Sequence, residues 1–210
     1  MYDWLRQDYE TLTQAAELAP PATENEIEAL EKALNLKLPP ALSQFLRIAN
    51  GARSWGVYGE IYSTQRIREQ FDEWGFLPWS GALQLLDPDF EESHYYSQRP
   101  GHFLMIAQSP QGADCYCLDT YALQAEEWRV CYYDAEFEVS DHLRPRFQDF
   151  EAFLLAGLDG VLEQIEDESL LEDANFWAAY EGYVQQSQEE NQAFLEHYQP
   201  PIGYPQELKD

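Results

Sequence analysis

The stretch LKLPPALSQFLRIANG, Leu36 to Gly51, leaves the chain little freedom to fold in more than one way. Pro39 or Pro40 suits the first turn of a helix, where the amide that proline lacks would have had no intrahelical partner. Leu42, Phe45, Leu46 and Ala49 follow at helical spacing, and Asn50-Gly51 reads as a stop because both residues tolerate the left-handed backbone that closes a helix end. Upstream, Thr23 stands three residues before Glu26, the spacing of a capping box, and Ile27, Leu30 and Leu34 make the buried stripe of another helix. Asn35 to Leu38 is too short to do more than reverse direction, so these two helices form a hairpin. Leu5, Tyr9, Leu12 and Ala16 predict a helix before them, ended by Pro20-Pro21.

After Gly51 the vocabulary changes to short aromatic and branched runs: Val57 to Tyr62, Phe103 to Ala107, Asp114 to Asp119 and Trp128 to Tyr133. Gly, Pro, Asp and Gln separate them, as in a meander of antiparallel strands. The Trp- and Pro-bearing region from Gln70 to Pro100 reads as helix and loop. From Phe147 the helical period returns through Phe150, Phe153, Leu154, Val161, Leu162, Ile165, Phe176, Trp177, Tyr180, Val184, Phe194, Leu195 and Tyr198, with a polar interval, Gly182 to Gln192, that reads as solvated helix. Helices, then sheet, then helices predict an α+β class: an N-terminal helical hairpin on a central antiparallel sheet, with closing C-terminal helices. The expected division is a domain over 1–158 and an acidic helical extension over 159–210, packed on the same domain.

Charge narrows the partners. Thirty-nine acidic residues face twelve basic ones, a net charge of -27, while 45% apolar and 15% aromatic content is too rich for a disordered chain. Between Phe147 and Leu208 there are fourteen Asp and Glu and no Lys or Arg. Such a field repels nucleic acid and anionic membrane, which are bound through clustered cations, and attracts a basic protein; it also serves solubility. The start, MYDWLRQDYE, does not read as a signal peptide, and no run approaches the roughly 20 apolar residues that span a bilayer. Cys115, Cys117 and Cys131 make an odd count that suits reduced thiols, so a cytoplasmic location is expected.

No catalytic, cofactor or metal site is expected. The phosphate-cradling glycine motifs, Gly-x-Ser-x-Gly and His-Glu-x-x-His are absent. Cys115 and Cys117 share a strand face but lack a second ligand pair at zinc spacing, and read as small apolar groups beside Cys131. His94, His102, His142 and His197 are scattered through different segments. Asp114 with Asp119, or Asp134 with Glu136, is a weak acid-base pair among so many carboxylates, and Asp119 suits a role satisfying turn backbone. Trp55 and Tyr58, with Trp74 and Trp79, read either as binding platforms on loops or as core.

TENEIEALEKALNLKLPPALSQFLRIANG resembles the opening of the SUKH superfamily, which includes fungal regulators of cell-wall glucan synthesis and many bacterial immunity proteins. The likeness rests on the capped acidic helix Thr23 to Leu34, the Leu38-Pro39 step, Phe45-Leu46 and Asn50-Gly51. DCYCLDT is similar to the family's strand ending in Leu-Asp, VCYYDAE to its aromatic strand with an acidic turn, and FQDFEAFL to its closing helix. The resemblance covers roughly Asp3 to Gly157. One departure is that Ala113 precedes Asp114, where the family often has Gly. The resemblance implies a non-enzymatic binding domain without cofactor. Its expected role is an immunity protein that binds and blocks a basic, nuclease- or deaminase-like toxin domain. The alternatives are a regulatory scaffold or, further off, an enzyme on a small cationic or sugar substrate. The partner surface is expected on the loops after Gly51 and around Asp114 to Asp141: Trp55, Tyr58, Glu60, Asp114, Asp119, Asp134, Glu136, Glu138 and Asp141.

Overall fold

Thr23 begins the helical hairpin as its spacing predicts. Its hydroxyl accepts from the Glu26 amide, and the Glu26 carboxylate accepts from the Thr23 amide at 2.7 Å, so two amides at the helix start are satisfied reciprocally. The computed structural model describes residues 2–7, 9–77, 103–110, 115–120, 128–133, 145–165 and 174–198. Within them the helices are α1 (Asp3–Gln7), α2 (Tyr9–Ala16), α3 (Glu24–Leu34), α4 (Pro40–Ile48), α5 (Thr64–Trp74), α6 (Phe150–Leu162) and α7 (Ala174–His197). The strands are β1 (Glu60–Ile61), β2 (Phe103–Gln108), β3 (Cys115–Asp119), β4 (Val130–Tyr133) and β5 (Pro145–Phe147), joined in the order β1-β2-β3-β4-β5 with every pair antiparallel. This is an α+β arrangement with helices before and after an antiparallel sheet and α5 between β1 and β2. None of the described helices is long and apolar enough to cross a membrane.

One face of the sheet carries the main core. Leu104, Ile106, Tyr116, Leu118 and Val130 pack with Leu42, Phe45 and Leu46 of α4 and with Phe150, Phe153 and Leu154 of α6. On the other face, register sets Cys117 opposite Cys131, with Cys115 two residues along and its sulfur 3.6 Å from that of Cys117. All three thiols are free and buried. Burial, the dominant cause, pushes the Cys117 and Cys131 thiols well above the ordinary range, so they pack as neutral apolar groups.

Four local readings change. The Asn50-Gly51 pair does not close α4: that helix ends at Ile48 with Ala49 extended. The Asn50 side chain instead accepts from the Thr64 amide at 2.8 Å, at the start of α5. Gly51, at φ 98°, lies so close to the β1–α5 turn that a Cβ would sit 2.8 Å from both Ile61 O and Ser63 N. The expected strand from Val57 to Tyr62 is a 3₁₀ turn, Gly56–Tyr58, followed by a two-residue strand, because Gly56 and Gly59 both take positive φ. Phe147 belongs to an edge strand and not to the helix after it; Pro145 opens that strand, where its missing amide is tolerated. Finally, α2 stops at Ala16, four residues before the prolines, with Glu17 at φ 50°.

Both edges of the sheet are covered. Beyond β1, antiparallel pairing continues from Ile61 to Ala52 and from Ala52 to Leu18. Beyond β5 lies α7. Its inward residues, Trp177, Tyr180, Val184, Ser187, Asn191, Phe194 and Tyr198, alternate spacings of three and four along the helix, the period of a packed helical seam. This seam rests on α6 and β5. The polar interval from Gly182 to Gln192 is helical throughout, exposed on its outer side and buried at Val184 and Ser187.

Candidate partner-binding surface

The segment after Gly51 is where the expected contact residues divide. Trp55 is fully buried: its indole N–H donates to Leu154 O at 2.9 Å, and Phe45 meets its ring edge-on at 6.5 Å. It is a core residue and offers no surface to a partner, which corrects the platform reading. Tyr58 is half-buried in a cluster with Tyr116, Phe147 and Phe153 at 5.0, 5.8 and 4.9 Å between ring centroids, and burial raises the pKa of its hydroxyl. Gly56, Gly157 and Gly160 let these rings approach α6. A Cβ on Gly56 would come 2.6 Å from Gly157 O, and one on Gly157 would come 2.5 Å from the Tyr58 ring.

Asp119 is also withdrawn from the surface. It is 1% exposed, and its carboxylate accepts from Arg129 at 2.9 Å across the β3–β4 pairing. The Arg129 guanidinium in turn lies 4.8 Å from the centre of the Tyr198 ring. The pair fixes the sheet end against the last residue described of the C-terminal segment, which is structural work and not a contact for a partner. Burial raises the Tyr198 hydroxyl to about 12. Asp114, Asp134, Glu136, Glu138 and Asp141 lie outside the described residues, as do Trp79, His94, His102 and His142.

Glu60 remains at the surface, in a groove of about 450 Å³ whose lining includes Glu17, Asn50, Gly51, Arg53 and Ser63. The groove exists because Ala52 is shared between Leu18 and Ile61, which carries the end of α2 alongside β1. Arg53 and Glu17 face each other at 3.5 Å with 82% and 60% of their side chains exposed, so they are a loose, solvated pair that a partner can exchange. Sequence reasoning passed over Glu17 and Arg53; only the pairing of Ala52 with both neighbours brings them to Glu60. Val57 and Trp74, 68% and 61% exposed, are the large apolar side chains most open to solvent among those described.

The described cations are largely committed at home: Lys37 to Glu31, Arg47 to Glu24, Arg66 to Glu69, and Arg68 to Asp72. The carboxylates therefore dominate the outer field. Among the described residues no group of three or more His, Cys, Asp or Glu is placed to hold a metal ion. His197 is exposed on α7, one ring nitrogen 2.9 Å from Ala193 O.

A capped helical hairpin on a five-stranded antiparallel sheet, with closing C-terminal helices, defines an α+β domain. Comparison with family models places it more narrowly: residues 21–156 match the SMI1 / KNR4 family (SUKH-1), and the chain belongs to that family. No curated protein gives a significant match to the chain. Helix α7 lies wholly beyond the matched residues.

Proposed function

We propose that this chain is a non-enzymatic immunity protein that neutralises a basic toxin domain, of the nuclease or deaminase kind, by binding it directly. The observation that carries the reading is the net charge of -27 on a folded chain that holds a SUKH-1 domain. A toxin that cuts or edits nucleic acid presents a cationic substrate groove, and an acidic surface is drawn to such a groove and covers it. The groove at Glu17 and Glu60, with Arg53 held only by a solvated pair, is the described surface best suited to exchange its internal ion pair for one with a partner. Free thiols on β3 and β4 support a reducing, cytoplasmic setting.

A second reading is a regulatory scaffold that binds housekeeping proteins. It is favoured by the likeness to the SUKH superfamily, whose fungal members regulate cell-wall glucan synthesis. Co-expression with any toxin encoded beside the gene separates the two. Protection, together with a complex that co-elutes at low salt, is expected; growth arrest with no complex would sink the immunity reading and favour the scaffold.

A further inference from the structure

Asn191 does something unusual for a helix residue. Its side-chain oxygen accepts from the Gln148 amide at 2.9 Å and its side-chain nitrogen donates to Arg146 O at 3.0 Å. These are the outward-facing backbone groups on either side of Phe147, whose own register partner is Val130 on the inner side of β5. One residue of an added parallel strand makes the same two bonds, donating to the carbonyl before its neighbour and accepting from the amide after it. The carboxamide of Asn191 thus occupies the place of a pairing strand on an edge that would otherwise be open.

The hold on that edge is uneven along α7. The first half of the seam is anchored by Tyr180 and Val184, 2% and 8% exposed. The second half is Ser187, Asn191 and the half-buried Phe194 and Tyr198, so it contributes less apolar burial, and it is held besides by the Arg129 guanidinium over the Tyr198 ring. Glu190 also sits close enough to Asp149, the cap of α6, to oppose its charge. Apart from Arg146, residues 145–198 contain no Lys or Arg.

From this geometry we infer that the β5 edge at Arg146–Gln148 is a docking site for an extended, lysine- or arginine-bearing segment of a protein partner, held closed in the free chain by the second half of α7 through Asn191. An incoming strand replaces the two Asn191 bonds one for one, so the exchange leaves no backbone group unpaired. Displacing residues 188–198 carries Glu190 away from Asp149, and the incoming cations then meet the carboxylate of Asp149, the residue after Gln148. The basic character of the occupant rests on the functional reading above; the opening of the edge does not.

The test uses the full chain and an octapeptide of alternating Lys and Val, with a control of the same charge N-methylated at every amide so that it has no N–H with which to pair. Asn191→Leu, which keeps the volume and removes both bonds, is expected to bind the pairing peptide at least tenfold more tightly than the wild type. Asn191→Asp, which keeps only the acceptor, is expected to fall between. The methylated control is expected to bind the wild type and Asn191→Leu alike, and Asn191→Asp more tightly only by what its added charge attracts. Equal affinity across the three proteins, or equal gains for the methylated control, overturns the inference.

Wild-type protein provides a second measurement if a variant folds poorly. Saturating pairing peptide is expected to speed hydrogen exchange at 188–198 at least tenfold and to slow it at Gln148; unchanged exchange at 188–198 overturns the proposal. A chain that passes these tests but fails to protect cells loses the toxin reading and keeps its docking edge. A chain that protects but fails them loses only the edge.

Discussion

Two glycine-to-alanine substitutions on helices of this protein are predicted to act in opposite directions. Replacing Gly by Ala in a helix interior is worth about 1 kcal/mol in favour of folding, because the unfolded chain has less freedom to lose. At Gly182 on α7 no heavy atom lies within 4 Å of the added Cβ, so Gly182→Ala is expected to stabilise by about 0.5–1 kcal/mol. At Gly157 the added Cβ falls 2.5 Å from Tyr58 Cδ2 and 2.8 Å from Trp55 Cδ1, roughly 1 Å inside ordinary carbon contact. Neither ring has room to swing, since Trp55 is fully buried and bonded to Leu154 O, and Tyr58 is enclosed by Tyr116, Phe147 and Phe153. Overpacking of this kind costs up to about 3 kcal/mol, so after the helical gain Gly157→Ala is expected to lose about 2 kcal/mol. That corresponds to a Tm drop of about 4–8 °C for a chain of this size. Urea unfolding of the two variants reads both signs in one experiment; stabilisation by Gly157→Ala would refute the close approach of α6 to the 55–58 turn.

Other substitutions and titrations test neighbouring parts of the account. Asn50→Ala removes the cap on Thr64 and is expected to cost about 1 kcal/mol, whereas Gly51→Ala, with left-handed strain and two backbone clashes, is expected to cost more than about 3 kcal/mol; denaturation midpoints in the reverse order would contradict this. Burial and then Glu190 raise the Asp149 carboxyl, against the pull of the α6 amides. Because the folded value is raised, its contribution to stability is full below the unfolded pKa of about 3.9 and is lost as pH rises through the folded value. Asp149→Ser, which keeps the cap, is therefore expected to gain stability relative to wild type as pH rises from 3 to 7, and a flat difference would count against it. Native protein is expected to resist a thiol-specific dye at pH 8 until it unfolds, given buried sulfurs at Cys115, Cys117 and Cys131; labelling of all three within seconds would show the sheet face to be open.

What could be read from the sequence was what local chemistry dictates. The capping box at Thr23, the stripe of α3, the start of α4 and three of the strands follow from periods and side chains that act within a few residues. Asn50 and Gly51 announced themselves as special residues, but their duty lies at a helix start fourteen residues away and against another strand, which no local rule encodes. Trp55 looked like a loop aromatic because loops are usually at the surface; the Gly56, Gly157 and Gly160 contacts that draw it inward link positions about a hundred residues apart. Strand β5 was hidden because three residues beginning with Pro carry no alternation, and what completes its pairing is a side chain of α7. Asp119 was read as satisfying turn backbone, whereas the structure pairs its carboxylate with the Arg129 side chain across the sheet end.

The most direct test of the central claim, that this acidic chain is steered onto a basic partner, is the association rate with a toxin domain against which it protects in co-expression, measured by stopped flow as salt is varied. Screening shortens the reach of the charges from about 30 Å at 0.01 M to about 8 Å at 0.15 M ionic strength. The account predicts a rate constant that falls at least tenfold over that range while dissociation changes little. A rate constant independent of salt, or no complex at the lowest salt, would contradict it.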